Sequence, residues 1–365
     1  MINVTIVLLE DGFSSTAVMP LEIFHSAGKL WNDLHDSPSK PAFRVRTASL
    51  DGGTVRSAHG LGVTPHTSIE SIDQTDVVVV STSGLDLDLH LLANSALPPW
   101  LRRQHAQGAL IVGVCMGAAY LAEAGLLDGR MATTHWALAD KFAERYPRVR
   151  WRPDMFVTED SRVLCSGGVF ASADVSLYLV EKLCGHEIAL QTAKALLLPM
   201  PRIHQSGFAM LPVSKPHGDE RIRAAEAYLQ ANFRKDIPIP LLAERAGLGV
   251  RTFVRHFKAA TGRLPADYLQ AVRIEAAKVM LESDNRPIQT ISSDVGYDDV
   301  AFFRSLFKRI TRMTPTEYRA NFAPLNITGQ AAIAAYRPAP PVVAARRTLD
   351  EPRSIQPAVL ALRRA

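Results

Sequence analysis

Three cysteines in 365 residues, Cys115, Cys165 and Cys184, are too few and too scattered for a disulfide framework. None stands at a metal-ligand spacing, and nothing in the chain calls for a metal or another cofactor. Their scarcity suits a reducing, cytoplasmic compartment. Long apolar runs are lacking too. None reaches the ~18–20 residues that span a bilayer, and "MINVTIVLLEDG" reads as a buried first strand rather than a leader, so no membrane is expected among the partners. Bulk disorder is excluded from the other side, because 47% of the residues are apolar and a full core can form. The net charge of +5 conceals an asymmetry. Residues 1–217 carry 18 Lys/Arg against 21 Asp/Glu, residues 218–320 carry 17 against 13, and residues 321–365 carry 6 against 2. The positive charge lies wholly in the C-terminal third, which suits a phosphate-bearing partner, although solubility alone accounts for a surplus this small.

The first two hundred residues alternate short apolar runs with amphipathic stretches. "VTIVLL" (4–9), "VVVVS" (77–81) and "ALIVGV" (109–114) have the composition of central parallel strands buried on both faces. "PLEIFHSAGKLW", "MGAAYLAEAGLL", "WALADKFAERY" and "ASADVSLYLVEKL" have helical periodicity. The alternation predicts an open α/β parallel-sheet sandwich over residues 1–200. Residues 201–218 lie in a stretch with four prolines and little periodicity and read as a linker. Residues 219–322 predict an all-α domain, and the Ala-, Pro- and Arg-rich remainder, 323–365, predicts a disordered tail.

Within the helical part lies an imperfect repeat at an offset of fifty. Phe253, Phe257, Lys258, Pro265 and Tyr268 match Phe303, Phe307, Lys308, Pro315 and Tyr318. Each unit reads helix, glycine turn (Gly247 or Gly296), helix. In the first, Phe253, Phe257 and Ala260 face inward, leaving Arg251, Thr252, Arg255 and Lys258 outside. A single such unit is more economically an ordinary helical hairpin with a solvated face. Two in register, joined by "PADYLQAVRIEAAKVMLE", point to paired recognition helices that enter successive major grooves of double-stranded DNA, about 34 Å apart.

"IQTISSDVGYDDVAFFRSLFKRITRMTPTEYR" resembles the signature of the AraC/XylS transcription factors, and the resemblance runs over about 219–320, including "FKAATG" and "TPTEYR". It implies seven helices with two helix-turn-helix units. By position it implies base-reading residues Arg251, Val254 and Arg255 in the first unit, and Val300, Ala301, Arg304 and Ser305 in the second. The three apolar ones suit a thymine methyl.

"IVGVCMGAAYLAEAGLL" (111–127) sets Cys115 between two glycines at a predicted strand-to-helix bend. The glycines let neighbouring backbone approach, and a thiol at a helix N-terminus is activated by the dipole, with His135 available as base. The alternative is a plain turn holding a small buried cysteine. Residues 1–200 resemble the PfpI-type branch of the class I glutamine-amidotransferase-like superfamily, a flavodoxin-like fold. With the helical part they resemble GlxA-type regulators of the AraC family over about 1–320. Three departures weaken a catalytic reading. Thr16 stands where the branch's hydro-lyases have aspartate. Ala137 stands where amidotransferases have glutamate after their histidine, and Ser83-Gly84 replaces a Gly-Gly turn. Cys115 and His135 are then vestigial, since a nucleophile without its orienting group loses orders of magnitude in rate.

Ligands of open α/β sheets lie beyond the carboxyl ends of the strands. Ser83, Gly84, Cys115, Met116, His135 and Trp136 all follow predicted strands, and Thr16 and Glu22 lie in or after the first strand–helix loop. These eight are the candidate ligand-binding residues, with the elbow amides facing a carboxylate and the imidazole and indole facing a cation. Asp174, in the first turns of its helix, serves the dipole or pairs with a cationic ligand. The resemblance implies a small amino- or quaternary-ammonium metabolite as effector. The expectation is a cytoplasmic transcription regulator, an activator and homodimer working with RNA polymerase, and not an enzyme. The competing expectation is a cysteine-dependent amidohydrolase or hydratase using Cys115 and His135. A redox sensor at Cys115 is a third, with no resolving cysteine near in sequence.

Overall fold

The computed structural model describes residues 1–209, 217–283 and 285–323. The tail expected over 323–365 lies, from 324 onward, outside them.

Seven strands form the main sheet: β1 (Ile2–Val7), β2 (Phe43–Ser49), β3 (Thr67–Ser68), β4 (Val77–Val80), β5 (Leu110–Val114), β6 (Val157–Asp160) and β7 (Val163–Ser166). Their spatial order is β6-β7-β5-β4-β1-β2-β3, and every pair is parallel except β6 with β7. The five longer parallel strands run 2-1-3-4-5 in chain order, the doubly wound arrangement of flavodoxin. All four residues of β4 and of β7 are buried, which is why β4 reads as a continuous apolar run rather than as an alternation. Val7 is level with Val80, Val80 with Gly113, and Val114 with Ser166, so the strands end together on one edge. The connections leaving β1 and β4 diverge at that edge.

Helix α1 (Ser15–Ser26) follows β1, α2 (Gly117–Glu123) follows β5 and α3 (Ala171–Cys184) follows β7. α1 packs on α3 and α3 on the helix His186–Ala195, while Leu97–Ala106 packs on α2. The first helix starts five residues before the expected Pro20, which lies inside it. Thr16 is therefore a helix residue and not a loop residue. The antiparallel β6 was also unexpected. Its hairpin turns on Ser161 and Arg162, at φ 53° and 65°, and carries none of the glycine or asparagine that marks such turns in a sequence.

Among the described residues from 217 onward there are seven helices: α4 (Glu220–Asn232), α5 (Ile239–Arg245), α6 (Val250–Thr261), α7 (Pro265–Ser283), α8 (Ile288–Asp294), α9 (Val300–Thr311) and α10 (Pro315–Phe322). They bury two separate cores. One gathers Leu229, Leu242, Phe253, Phe257, Tyr268 and Val272, and the other Ile274, Leu281, Ile291, Phe303, Phe307 and Tyr318. The long helix α7 serves the first with its N-terminal half and the second with its C-terminal half. The repeat is thus two small helical units fused along one shaft. Its details recur at the same offset: Thr261 Oγ1 donates to Phe257 O and Thr311 Oγ1 to Phe307 O, both at 2.8 Å.

Candidate functional site

The bend after β5 is an elbow. Cys115 lies at φ 55°, a left-handed conformation costing an L-residue about 1–2 kcal/mol. Both flanking glycines are required by close approach. A Cβ on Gly113 would stand 2.8 Å from the Ala118 backbone, and one on Gly117 would stand 2.5 Å from Val80 O. The Cys115 N–H donates to Ser166 O at 3.0 Å, and its carbonyl accepts from Thr134 Oγ1 at 3.0 Å. The sulfur meets the Thr82 hydroxyl and the backbone N–H groups of Met116 and His135. Cys115 is only 5% exposed, and burial pushes its thiol above the ordinary cysteine range despite those three contacts.

Among the described residues no hydrogen bond joins the imidazole of His135 to this thiol. Its Nδ1 accepts from Ala137 N–H at 3.1 Å, which fixes the proton of the neutral ring on Nε2. Burial lowers its pKa, so near neutral pH both groups are uncharged. The ring lies 5.3 Å from the Trp136 indole, tilted by 34°, and against Gly168. Thr16 is fully buried and ties two loops together. Its hydroxyl donates to Phe13 O at 2.7 Å and accepts from the N–H of Thr82, the residue whose hydroxyl lies beside the thiol, at 3.2 Å.

The edge therefore brings Thr16, Cys115, Met116, His135 and Trp136 around one elbow, but it does not bring in the other three as expected. Glu22 is exposed on α1. Gly84 spends its N–H on Glu10 O and stands against the buried His90 ring. Ser83 is buried, and its hydroxyl donates to Gly84 O at 3.4 Å. Of the elbow amides expected to receive a ligand carboxylate, the Cys115 N–H is already given to Ser166 O. Asp174 has a partner within the chain, since the Arg202 backbone N–H and guanidinium hold it at 2.7 to 3.1 Å. The cavity beside Thr82, lined also by Leu8, Gly12, Phe13 and Ala17, holds about 20 Å³, room for one water. Among the described residues no cluster of three or more His, Cys, Asp or Glu is able to hold a metal ion, and no helix is long and apolar enough to cross a membrane.

The helical part presents a second surface. Arg251, Arg255, Ala301, Arg304 and Ser305 are exposed on α6 and α9, with Thr252 and Val300 half-buried beside them. Val254 is also half-buried and packs on the first core. Among the described residues none of the three arginines is in an ion pair. Asp299 caps α9 by accepting from Ala301 and Phe302 N–H.

The DJ-1/PfpI family profile matches residues 5–182. Protein DJ-1alpha of Drosophila melanogaster is 31% identical over 156 residues, 42% of this chain and 70% of that protein. The chain belongs to the DJ-1/PfpI family. A helix-turn-helix domain profile matches residues 242–321, so this DJ-1/PfpI chain carries a DNA-binding domain of the AraC type as well. The same pairing extends to whole-length relatives. The HTH-type transcriptional regulator CdhR of Pseudomonas aeruginosa is 27% identical over 319 residues, 86% of this chain and 90% of that one. The HTH-type transcriptional regulator GlxA of Rhizobium meliloti is 27% identical over 283 residues, 77% and 86% of the two chains. In this DJ-1/PfpI chain sequence reasoning missed Thr82, Thr134 and Gln205, all buried polar residues at the elbow. Only the tertiary arrangement brings them there.

Proposed function

We propose that the chain is a transcription regulator, an activator acting as a homodimer with RNA polymerase. Residues 1–200 sense a small metabolite without turning it over, 201–218 connect, and 219–322 bind double-stranded DNA. The observation that carries the DNA-binding half is the set of unpaired guanidinium groups on two repeated helices joined by one shaft. Helix α7 has 19 residues, about 28 Å at 1.5 Å per residue, commensurate with the ~34 Å between successive major grooves. Sensing rather than catalysis is supported by three features. The thiol and imidazole are both neutral, the imidazole is committed to Ala137, and the acid position holds Thr16. The indole and imidazole suit a cationic effector, an amino- or quaternary-ammonium metabolite, once the closed elbow opens.

The test is binding of the full chain to duplex DNA from its own promoter region, across a salt series. Arg251→Ala, Arg255→Ala and Arg304→Ala each weaken binding about 5- to 150-fold at a specific site if they read bases. Binding that is absent, or insensitive to salt, overturns the proposal. Cysteine-dependent turnover of amides or isonitriles at ordinary enzyme rates restores the hydrolase or hydratase reading instead.

A further inference from the structure

The segment that reads as a linker is linked at both of its described ends. Residues 202–209 follow the α/β part and precede the helices. Arg202 is anchored on Asp174, and its guanidinium lies 4.1 Å over the Phe156 ring. The backbone then runs alongside 154–156: Phe156 N–H donates to Ile203 O and Gln205 N–H to Asp154 O, each at 2.9 Å. Gln205 is 1% exposed, far more buried than a tether requires. Its Nε2 donates to Thr134 O at 2.9 Å, Met155 O at 3.0 Å and Thr133 Oγ1 at 3.3 Å. Thr134 is the residue whose hydroxyl holds the Cys115 carbonyl. A Cβ on Gly167 would stand 2.6 Å from Gln205 Oε1, and one on Gly168 would stand 3.0 Å from His135 Cδ2. The Gln205 amide and the imidazole thus rest on adjacent glycines.

The other end is fixed to the DNA-binding helices. Phe208 meets Phe156 edge-on at 5.6 Å and Phe322 of α10 at 4.9 Å. Ala209 O accepts from Lys278 Nζ at 2.6 Å, and Lys278 is buried on α7, the shaft shared by both helix-turn-helix units. Gly207 approaches so closely that a Cβ there would stand 2.9 Å from Met313 Sδ, in the turn between α9 and α10.

We propose that Gln205 is a positioning residue of the elbow, supplied from outside the α/β part, and that residues 202–209 transmit the state of the elbow to α7 and α10. This rests on the sensing role proposed above. A group placed at the elbow that displaces Thr134 or the Gly167–Gly168 backbone disturbs all three Gln205 hydrogen bonds together. Close-packed interiors answer such a disturbance by a discrete shift rather than by continuous yielding. The coupling is reciprocal: what alters the strap from the DNA side alters the elbow by the same factor.

The probe is carbamidomethylation of Cys115 by iodoacetamide, in the full chain with Cys184→Ser to remove the half-exposed thiol. Alkylation is expected to raise hydrogen exchange at the amides of 205 and 208 and to change affinity for promoter DNA by about 5-fold or more. In Gln205→Ala the alkylated and unmodified chains are expected to bind DNA alike. Phe208→Ala combined with Lys278→Met keeps the elbow bonds and removes the side-chain links of the strap to both α10 and α7. There, alkylation should still raise exchange at 205 while leaving DNA affinity unchanged. If alkylation leaves exchange at 205 and 208 untouched, or shifts DNA affinity equally in wild type and in both variants, the strap is only a tether. A wild-type chain that binds no promoter DNA at all refutes the regulator reading itself, a distinct outcome.

Discussion

The two helix-turn-helix units differ at one point where each serves as the other's control. Helix α6 ends on Gly262 at φ 76° and α9 on Arg312 at φ 63°, and both N–H groups donate to the lysine carbonyl four residues back at 2.9 Å. The left-handed cap is the same, but only one unit has the residue that adopts it freely. An L-residue there is disfavoured by about 1–2 kcal/mol. Glycine, against that, gives up about 0.5–1 kcal/mol more conformational freedom on folding. Arg312 is exposed and makes no ion pair among the described residues, so no charge pairing is forfeited by its removal. The net expectation for Arg312→Gly is a gain of about 0.5–1 kcal/mol. Gly262→Ala should lose a similar amount, because its Cβ would enter open space and only the backbone preference remains. For a helical unit of this size that is a rise of roughly 2–8 °C for the first and a comparable fall for the second. The assay separates the parts of the chain by itself. All four tryptophans, Trp31, Trp100, Trp136 and Trp151, precede residue 200, so indole fluorescence follows the α/β part alone while 222 nm ellipticity follows both. The ellipticity midpoint should move and the fluorescence midpoint should stay. If Arg312→Gly lowers the ellipticity midpoint, the arginine side chain contributes a contact that outweighs its backbone strain, and the reasoning is wrong.

Three further outcomes are expected. Gly117→Ala forces backbone apart, since its Cβ would stand 2.5 Å from Val80 O, so a loss above about 3 kcal/mol in urea unfolding, or failure to accumulate folded chain, is predicted. A loss under 1 kcal/mol would contradict the tight elbow. Burial raises the Cys115 thiol pKa in the folded chain, so the thiol's contribution to stability is complete below the unfolded value of about 8.5 and declines as pH rises through the folded one. The stability difference between wild type and Cys115→Ser should therefore shrink between pH 8 and 10, and a widening difference refutes it. Burial lowers the His135 pKa, so its neutral ring favours the folded state above about pH 6.5, and that contribution is lost as pH falls through the folded value. His135→Gln should flatten the acid limb of the urea midpoint between pH 7 and 5, and an unchanged limb counts against it.

The β-branched runs announced β1, β4 and β5 because strands buried on both faces leave no polar alternation to misread. The offset of fifty announced both recognition helices, since each unit has to bury the same pair of phenylalanines. The elbow was legible for a related reason: two glycines around one cysteine after an apolar run leave few backbone shapes. What escaped is equally specific. Glu22 and Thr16 looked alike as candidates near one loop, and only the start of α1 at Ser15 sends the first outward and the second inward. Asp174 carried no sign of Arg202, 28 residues on. Gln205 was invisible because a lone amide among prolines resembles solvated chain, and its acceptors, two backbone carbonyls and a threonine hydroxyl, lie far off in sequence. Polar burial is decided by partners, and partners are not local.

The pair of glycines at the bend has an evolutionary consequence. Gly113 and Gly117 are demanded by neighbouring backbone at Ala118 and Val80, and neither demand involves sulfur. A lineage that abandons a reaction here is not released from the bend, because losing either glycine breaks the sheet's own joint. The residue between them is under a looser rule: it has to tolerate a left-handed backbone and fit a small buried space, conditions that asparagine meets as well as cysteine. Such a joint behaves as a fixed socket with an exchangeable insert. Nucleophiles can be fitted, removed or replaced by a mute side chain while the frame around them is inherited unchanged.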